Sequence, residues 1–260
     1  VCSSDLKGLM GEQQTKRTVT GRELKWIAVL SMTLDHIGAV LVEPKIPGFS
    51  NPYAAETFLT GGETSYLYWL DVVLRYAGRL AFPIFCFLLA EGFLHTRSRK
   101  RYALRLACFA VVSEFPYDMA RAGTWFDPES QNVFAALFLC LALMEALARW
   151  EAKSAQMPAF FGGAVLLTGA FCLAAELACC DYGFLGPLLV SVLYLFRNDK
   201  RNQLLFGAAI VSVEVTAPLA FLLIRLYDGT QGKKNGKYFF YIYYPLHLLI
   251  LSMVGKLEIG

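Results

Sequence analysis

Asp35 and His36 stand side by side inside the apolar run Leu24 to Val42. A neutral histidine with a carboxylate at hand is the usual make-up of a general base and its orienting partner. The carboxylate fixes the tautomer and steadies the imidazolium formed on proton uptake. Neighbours on a helix point about 100° apart, so Asp35 need not touch His36. It could pair with Arg79 while His36 faces a cavity. Arg79, in a second apolar run, suits an oxyanion or a phosphate-bearing substrate. His247, in YYPLH, is a third such residue. Each also has a structural reading: Asp35 with Arg79 as a helix lock, His247 as an ordinary interhelical hydrogen bond. Their number favours chemistry, because a bundle can be held with fewer buried charges.

Further polar residues fall into two groups. Glu91 and His95 share a helix face just before the basic RSRKR stretch, which contributes Arg97, Arg99, Lys100 and Arg101, with Arg105 one turn on. A mouth so charged would attract a polyanion, such as a nucleotide-containing acyl donor. Glu91 with His95 also reads as an interfacial pair. Glu114 and Asp118, in SEFPYD, are four apart and share a face. With Asn132, Asp181 and Tyr182 they form the expected substrate-side polar set, although Asn132 and Asp181 also read as helix caps. Glu214 lies beside a kink expected at Pro218. The chain has no Gly-rich phosphate loop, GxSxG elbow, HExxH or zinc-spaced CxxC pair. With His36, His95 and His247 as its histidines, no metal site is expected.

These residues need elements to hold them. Of 260 residues, 56% are hydrophobic and 17% charged. Soluble domains carry roughly 25% charged residues, so most soluble enzymes are excluded and the expected solvent is lipid. The net charge of +3 and the lack of a basic–aromatic stripe argue against nucleic acid. Of seven cysteines, Cys86, Cys108, Cys140 and Cys172 sit in apolar runs and behave as small hydrophobes, so no disulfide framework follows. Runs of about 20 apolar residues span a bilayer core. Leu24–Val42, Leu70–Leu94, Tyr102–Ala120, Val133–Ala148, Ala159–Ala178, the shorter Gly183–Phe196, Leu204–Leu226 and Tyr238–Val254 qualify. The fold class is therefore all-α, a polytopic membrane bundle of about eight transmembrane helices. Depth counting puts Asp35 and His36 about 17 Å into their helix, and Arg79 and His247 about 14 Å from the other side. Ionisable groups there cost about 2.5–3.5 kcal/mol each, so they are expected to converge on one polar cavity.

The basic clusters before the first run and after the second, fourth and sixth all fall on one side, which is then cytoplasmic. Residues 1–22 form a cytoplasmic tail and 23–260 the membrane domain. The opening VCSSDLKGL lacks an initiator Met and fits nothing downstream, so it is read as a remnant, with Met10 as a candidate native start. One loop breaks the charge pattern. Lys233, Lys234 and Lys237 would lie outside, so either that loop binds something anionic or one of the last segments is miscounted.

LKWIAVLSMTLDHIGAVL, GRLAFPIFCFLLAEGFLHT, SEFPYD, NVFAALFLCLAL, DYGFLGPLLVSVLYLFR and FYIYYPLHLLIL together resemble the TraX family of bacterial integral membrane proteins. The likeness runs from Leu24 to Leu251. It implies a place in the bacterial inner membrane and an activity like N-terminal acetylation of pilin. The family is also similar to transmembrane acyltransferases, which use a histidine in an early helix. The resemblance thus implicates His36 as catalytic, with Asp35, Arg79, Glu91 and His247 beside it, and acetyl-CoA as donor.

The leading expectation is an acetyl-CoA-dependent acyltransferase. Its donor site is Glu91, His95, Arg97, Arg99, Lys100 and Arg101, and its acceptor is an amine or hydroxyl on an unknown peptide, lipid or glycan. Two other classes stay open. A proton-coupled transporter would use the same midplane groups and show pH-driven flux without acyl-CoA binding. A structural component of a conjugation or secretion apparatus would survive joint mutation of Asp35, His36 and Arg79.

Overall fold

The computed structural model describes residues 18–46, 63–232 and 238–259. Residues 1–17, most of the Glu43–Leu67 loop, and Lys233, Lys234 and Lys237 lie outside the described residues. Among those described the chain is all-helical, with no strand and only two isolated bridges, Val19 to Tyr227 and Gln131 to Cys180.

Helix α1 (Gly21–Ile37) begins at a capping box. The Thr20 hydroxyl accepts from the Glu23 backbone, and the Glu23 carboxylate accepts from the Thr20 N–H at 2.7 Å. Leu24, Ala28 and Met32 carry its buried stripe. The helix then widens into a π turn at Gly38–Val42 and tightens at Glu43–Lys45. The second apolar run is one long span, Tyr66–His95, made of α2 (Glu63–Gly78) and α3 (Ala81–His95). Proline explains the break. Pro83 has no N–H, and its ring crowds the carbonyl four residues back, that of Arg79.

Next come α4 (Arg99–Arg121), α5 (Val133–Lys153), α6 (Met157–Leu177) and the short α7 (Leu185–Leu195). The core lies on the seam of α3, α5 and α7, where Phe93, Leu143, Met144, Leu147, Leu189 and Leu193 are buried. Glu151 near the end of α5 holds Arg197 just past the end of α7 at 2.6 Å, so those two helices finish at the same end of the bundle.

The run Leu204–Leu226 differs from expectation. It folds into α8 (Lys200–Ile210), two tight turns at Val211–Val213 and Ala217–Leu219, and α9 (Ala220–Arg225). Pro218 has no N–H to continue a helix, and the turn closes instead by Ala217 N–H donating to the Glu214 carbonyl at 2.7 Å. The two legs pack against each other at Gly207, where an added Cβ would strike the Phe221 ring. Their far ends meet: Lys200 Nζ donates to the Tyr227 carbonyl at 3.0 Å. The segment therefore enters and returns at one end as a hairpin and does not cross. Its legs of 11 and 6 residues are also far short of the roughly 20 a crossing needs.

This correction removes the charge anomaly. Val19 N–H donates to Leu226 O at 2.9 Å and Gly21 N–H to Thr230 O at 2.8 Å. Trp26 packs on Phe239 and Phe240 at the start of α10 (Phe239–Ile259). Both flanks of the lysine-bearing loop thus sit beside the α1 N-terminus, with the other basic clusters. Among the described residues, five helical segments are long and apolar enough to cross a membrane: Gly21–Lys45, Tyr66–His95, Val133–Lys153, Met157–Leu177 and Phe239–Leu257. Helix α4 has the length but carries charge at both ends, and α7 has only 11 residues.

Candidate functional site

Helix α10 runs beside α1, starting at the same end, so Tyr243 and His247 face Thr33 and His36. Thr33 Oγ1 lies 2.8 Å from the Tyr243 hydroxyl. One turn further, His36 Nδ1 lies 2.7 Å from His247 Nε2. His247 Nδ1 is 2.9 Å from the Tyr243 carbonyl, which can only accept. Hence His247 carries its proton on Nδ1, its Nε2 accepts from His36 Nδ1–H, and His36 Nε2 is left with a bare lone pair. His247 is thus the group that orients His36, the part expected of Asp35.

Asp35 points elsewhere. Its Oδ2 pairs with Arg75 at 2.9 Å, which corrects the expected pairing with Arg79. Arg75 also faces Glu43 at 3.9 Å. Asp71 is buried one turn earlier on α2. One guanidinium therefore serves several carboxylates, and Oδ1 of both Asp35 and Asp71 is buried without a hydrogen bond. The close approach of α1 and α2 depends on Gly78, where a Cβ would lie 2.8 Å from Asp35 Cα. Ser31 fastens the same contact by donating to Ala77 O at 2.6 Å. Arg75 and Asp71 were missed in the sequence. Asp71, Arg75 and Arg79 at intervals of four on one helix face were the available signal.

Arg79, at the α2–α3 break, pairs with Glu214 at the hairpin break, 3.0 Å away. It also hydrogen-bonds Tyr182. That tyrosine belongs to a tight turn in which Cys179, Tyr182 and Gly183 have φ of 49°, 63° and 45°. For Cys179 and Tyr182 this left-handed backbone is costly and marks a conformation held by its surroundings. The Phe82 ring stacks on Tyr182 at 3.7 Å, and Glu176 accepts from Phe184 N–H at 2.7 Å. Asp35, His36, Arg75, Arg79, Asp181 and Tyr182 all line one cavity of about 360 Å³. Protein surrounds Asp181 although its surface meets the cavity. Burial, reinforced by the charge of Asp35, pushes its carboxyl up to about 6.

Glu114, Asp118 and Asn132 do not line this cavity, so the structure does not bring them onto its walls with Asp181 and Tyr182. Asn132 caps α5 by accepting from Phe134 N–H at 3.0 Å, and its amide donates to Ala110 O and to the Glu114 carboxylate. Asp118 accepts from Asp127 N–H at 3.1 Å. These three hold the loop between α4 and α5. That loop is bridged to the tyrosine turn by Gln131 N–H on Cys179 O and Asp181 N–H on Gln131 O.

A larger cavity, about 690 Å³, opens at the basic end. Lys25, His95, Arg97, Arg101 and Arg105 stand on it, above walls that include Leu88, Tyr102, Leu137 and Tyr241. Of the expected donor-side set, His95, Arg97 and Arg101 belong to it. Arg99 is turned away, bound to Glu145 at 3.2 Å and stacked over Phe93. Lys100 and Glu91 are not on its walls, and Glu91 faces Tyr227 and His95 instead. Met32, Phe85, Val133 and Tyr244 line both cavities. The basic-mouthed chamber and the polar chamber therefore abut at these four residues, with His36 just beyond. Among the described residues no group of three or more His, Cys, Asp or Glu side chains is placed to hold a metal ion.

The TraX family model, described as TraX protein, matches residues 20–255. A curated relative, "Probable fimbrial assembly protein FimC, serogroup H1" of Dichelobacter nodosus, is 28% identical over 256 aligned positions, covering 88% of this chain and 93% of the relative. No solved structure matches the chain.

Proposed function

We propose that this chain, which belongs to the TraX family, is a membrane-embedded acyltransferase that takes an acetyl group from acetyl-CoA. The observation that carries the reading is the His36–His247 pair at the junction of a basic-mouthed and a polar chamber. The phosphates of the donor suit Arg97 and Arg101, and its thioester end suits the inner part of that chamber. The acceptor amine or hydroxyl adds its lone pair to the thioester carbonyl carbon. His36 Nε2 takes the acceptor's proton, and the Nδ1–H bond to His247 steadies the imidazolium. The C–S bond then breaks, and the leaving thiolate takes that proton from His36. Arg79 meets the negative charge that develops on the carbonyl oxygen. The bundle sits in the inner membrane with its basic end in the cytoplasm, so donor and acceptor arrive from opposite sides.

A second reading is assembly. The relative's name is that of a fimbrial assembly protein. The ion pairs Asp35–Arg75 and Arg79–Glu214 would serve a purely structural bundle equally well. Purified protein in detergent, given labelled acetyl-CoA and a mixture of amine and hydroxyl acceptors, separates the two. Acyltransfer predicts donor turnover that falls at least about 10³-fold in His36→Ala. Turnover unchanged in that variant removes His36 from the mechanism, and no donor binding at all leaves assembly as the reading.

A further inference from the structure

We propose that the turn of the α8–α9 hairpin, with the neighbouring face of α2, is where a second copy of this chain docks within the membrane. Such a contact is independent of the acyl-transfer reading. Helix α8 starts at the basic end, where Lys200 meets Tyr227. Its 11 residues rise about 16 Å, so the turn lies near the middle of a hydrocarbon core about 30 Å thick. Non-helical backbone at that depth is tolerated only where protein covers it or where it lines a water-filled cavity. Neither holds within this chain. Val213 and Val215 are 68% and 67% exposed, with Ser212 exposed beside them. Among the described residues, the Val215 and Thr216 N–H groups find no acceptor. The Arg79 and Glu214 side chains, although paired, stay 26% and 28% exposed. Residues 211–219 line neither of the two cavities.

The patch continues onto α2. The Thr216 hydroxyl donates to the Tyr76 carbonyl at 2.6 Å, and Val73 and Tyr76 are exposed on that helix. Val73, Tyr76, Val213, Val215 and Leu219 thus give an exposed apolar border to a small polar centre. What the centre lacks points to its cover. It lacks acceptors for two N–H groups and a shield for an ion pair, and lipid tails supply neither. Another copy of the same turn supplies both: the Glu214 carboxylate and the Ser212 hydroxyl oxygen accept, and the Arg79 guanidinium donates. Two copies in one membrane share depth and orientation. A two-fold axis along the membrane normal therefore sets this patch against itself at one level. A two-fold contact requires a self-complementary surface, and a patch holding both signs of charge, donors and acceptors within an apolar border is one.

The test has two arms, both on the full chain in membranes. In the first, photoreactive benzoylphenylalanine replaces Tyr76, Leu219 or, on the exposed face of α6, Leu166. Illumination is expected to give a band of twice the chain mass from the Tyr76 or Leu219 position and none from Leu166. In the second, two differently tagged copies are expressed together, extracted in mild detergent and captured by one tag. Wild type is expected to bring the second tag with it. Val215→Trp should bring at least about tenfold less, because an oversized side chain at a close contact is poorly accommodated, and an unchanged helical circular-dichroism spectrum checks its folding. Equal cross-linking from Leu166, cross-linking from neither patch position, or capture undiminished in folded Val215→Trp overturns the proposal. So does a cross-linked band of another mass, which would put a different protein on this face.

Discussion

At the scale of single residues, what His36 can do depends on which of its nitrogens is free. The Tyr243 carbonyl fixes the His247 proton, and His247 in turn fixes that of His36. His247→Ala should therefore keep donor binding but lower kcat about 10²-fold, because His36 loses its tautomer and its partner. An equal KM with a lowered kcat checks this. Arg75→Leu should destabilise the fold by on the order of 3 kcal/mol, since Asp35, Glu43 and Asp71 then face one another unpaired. Recovery of melting temperature in Arg75→Leu/Asp71→Asn checks the cause. Asp181 supplies a pH test. Its carboxyl titrates near 6 when folded, against an ordinary 3.8. Between those values the folded state holds a proton that the unfolded chain releases. The contribution of Asp181 to stability thus falls as pH rises from about 4 to about 6 and stays low above. Wild type should lose melting temperature relative to Asp181→Asn across that window, and a constant difference would contradict this. His36, His247 and Arg79 were legible in the sequence because ionisable groups in apolar runs stand out, and Asp181 and Tyr182 because they sit in the short break between two such runs. Their partners were not, because Asp35 could have met either arginine of α2 and only the packing at Gly78 decides for Arg75.

At the scale of elements, two helix breaks are made by the same device. A proline stands four residues after a charged residue, Pro83 after Arg79 and Pro218 after Glu214, and the two charged residues pair across the gap. Carbonyls at each break find other partners, Ser31 and Thr216 hydroxyls at the first and the Ala217 N–H at the second, and the first break brings Arg79 to the wall of the polar cavity. The hairpin makes a topological prediction. Single cysteines placed at Arg201 and Thr230 should react with a membrane-impermeant reagent from the same side as one at Ser98. Labelling of the Thr230 position from the opposite side would restore the crossing. Hydropathy alone could not reveal the hairpin, because Leu204–Leu226 has the length and apolarity of a span. The three lysines that follow it were the clue, since a crossing there sets them against the positive-inside pattern. Pro83 was equally visible, but a proline in the first turn of a helix and one in mid-span look alike until the helix ends are known.

At the scale of the whole molecule, a basic-mouthed cavity and a cavity carrying charged groups abut at Met32, Phe85, Val133 and Tyr244, with the histidine pair close by. On the acyl-transfer reading, the donor is steered to this mouth by charge. Arg97→Glu/Arg101→Glu should raise KM for the donor at least about tenfold at low salt, and added salt should narrow the gap from wild type. The bundle as a class was legible from composition, whereas the meeting of two chambers was not, because no periodicity encodes which helices flank Val133 and Tyr244. The most direct test uses sealed proteoliposomes with the basic end outward, labelled acetyl-CoA outside and acceptor amines and alcohols trapped inside. Acyl transfer across the bundle should put label on the trapped acceptors and leave CoA outside, with both lost in His36→Ala. Labelling of acceptors only when they share the donor's side, or labelling undiminished by His36→Ala, would contradict it.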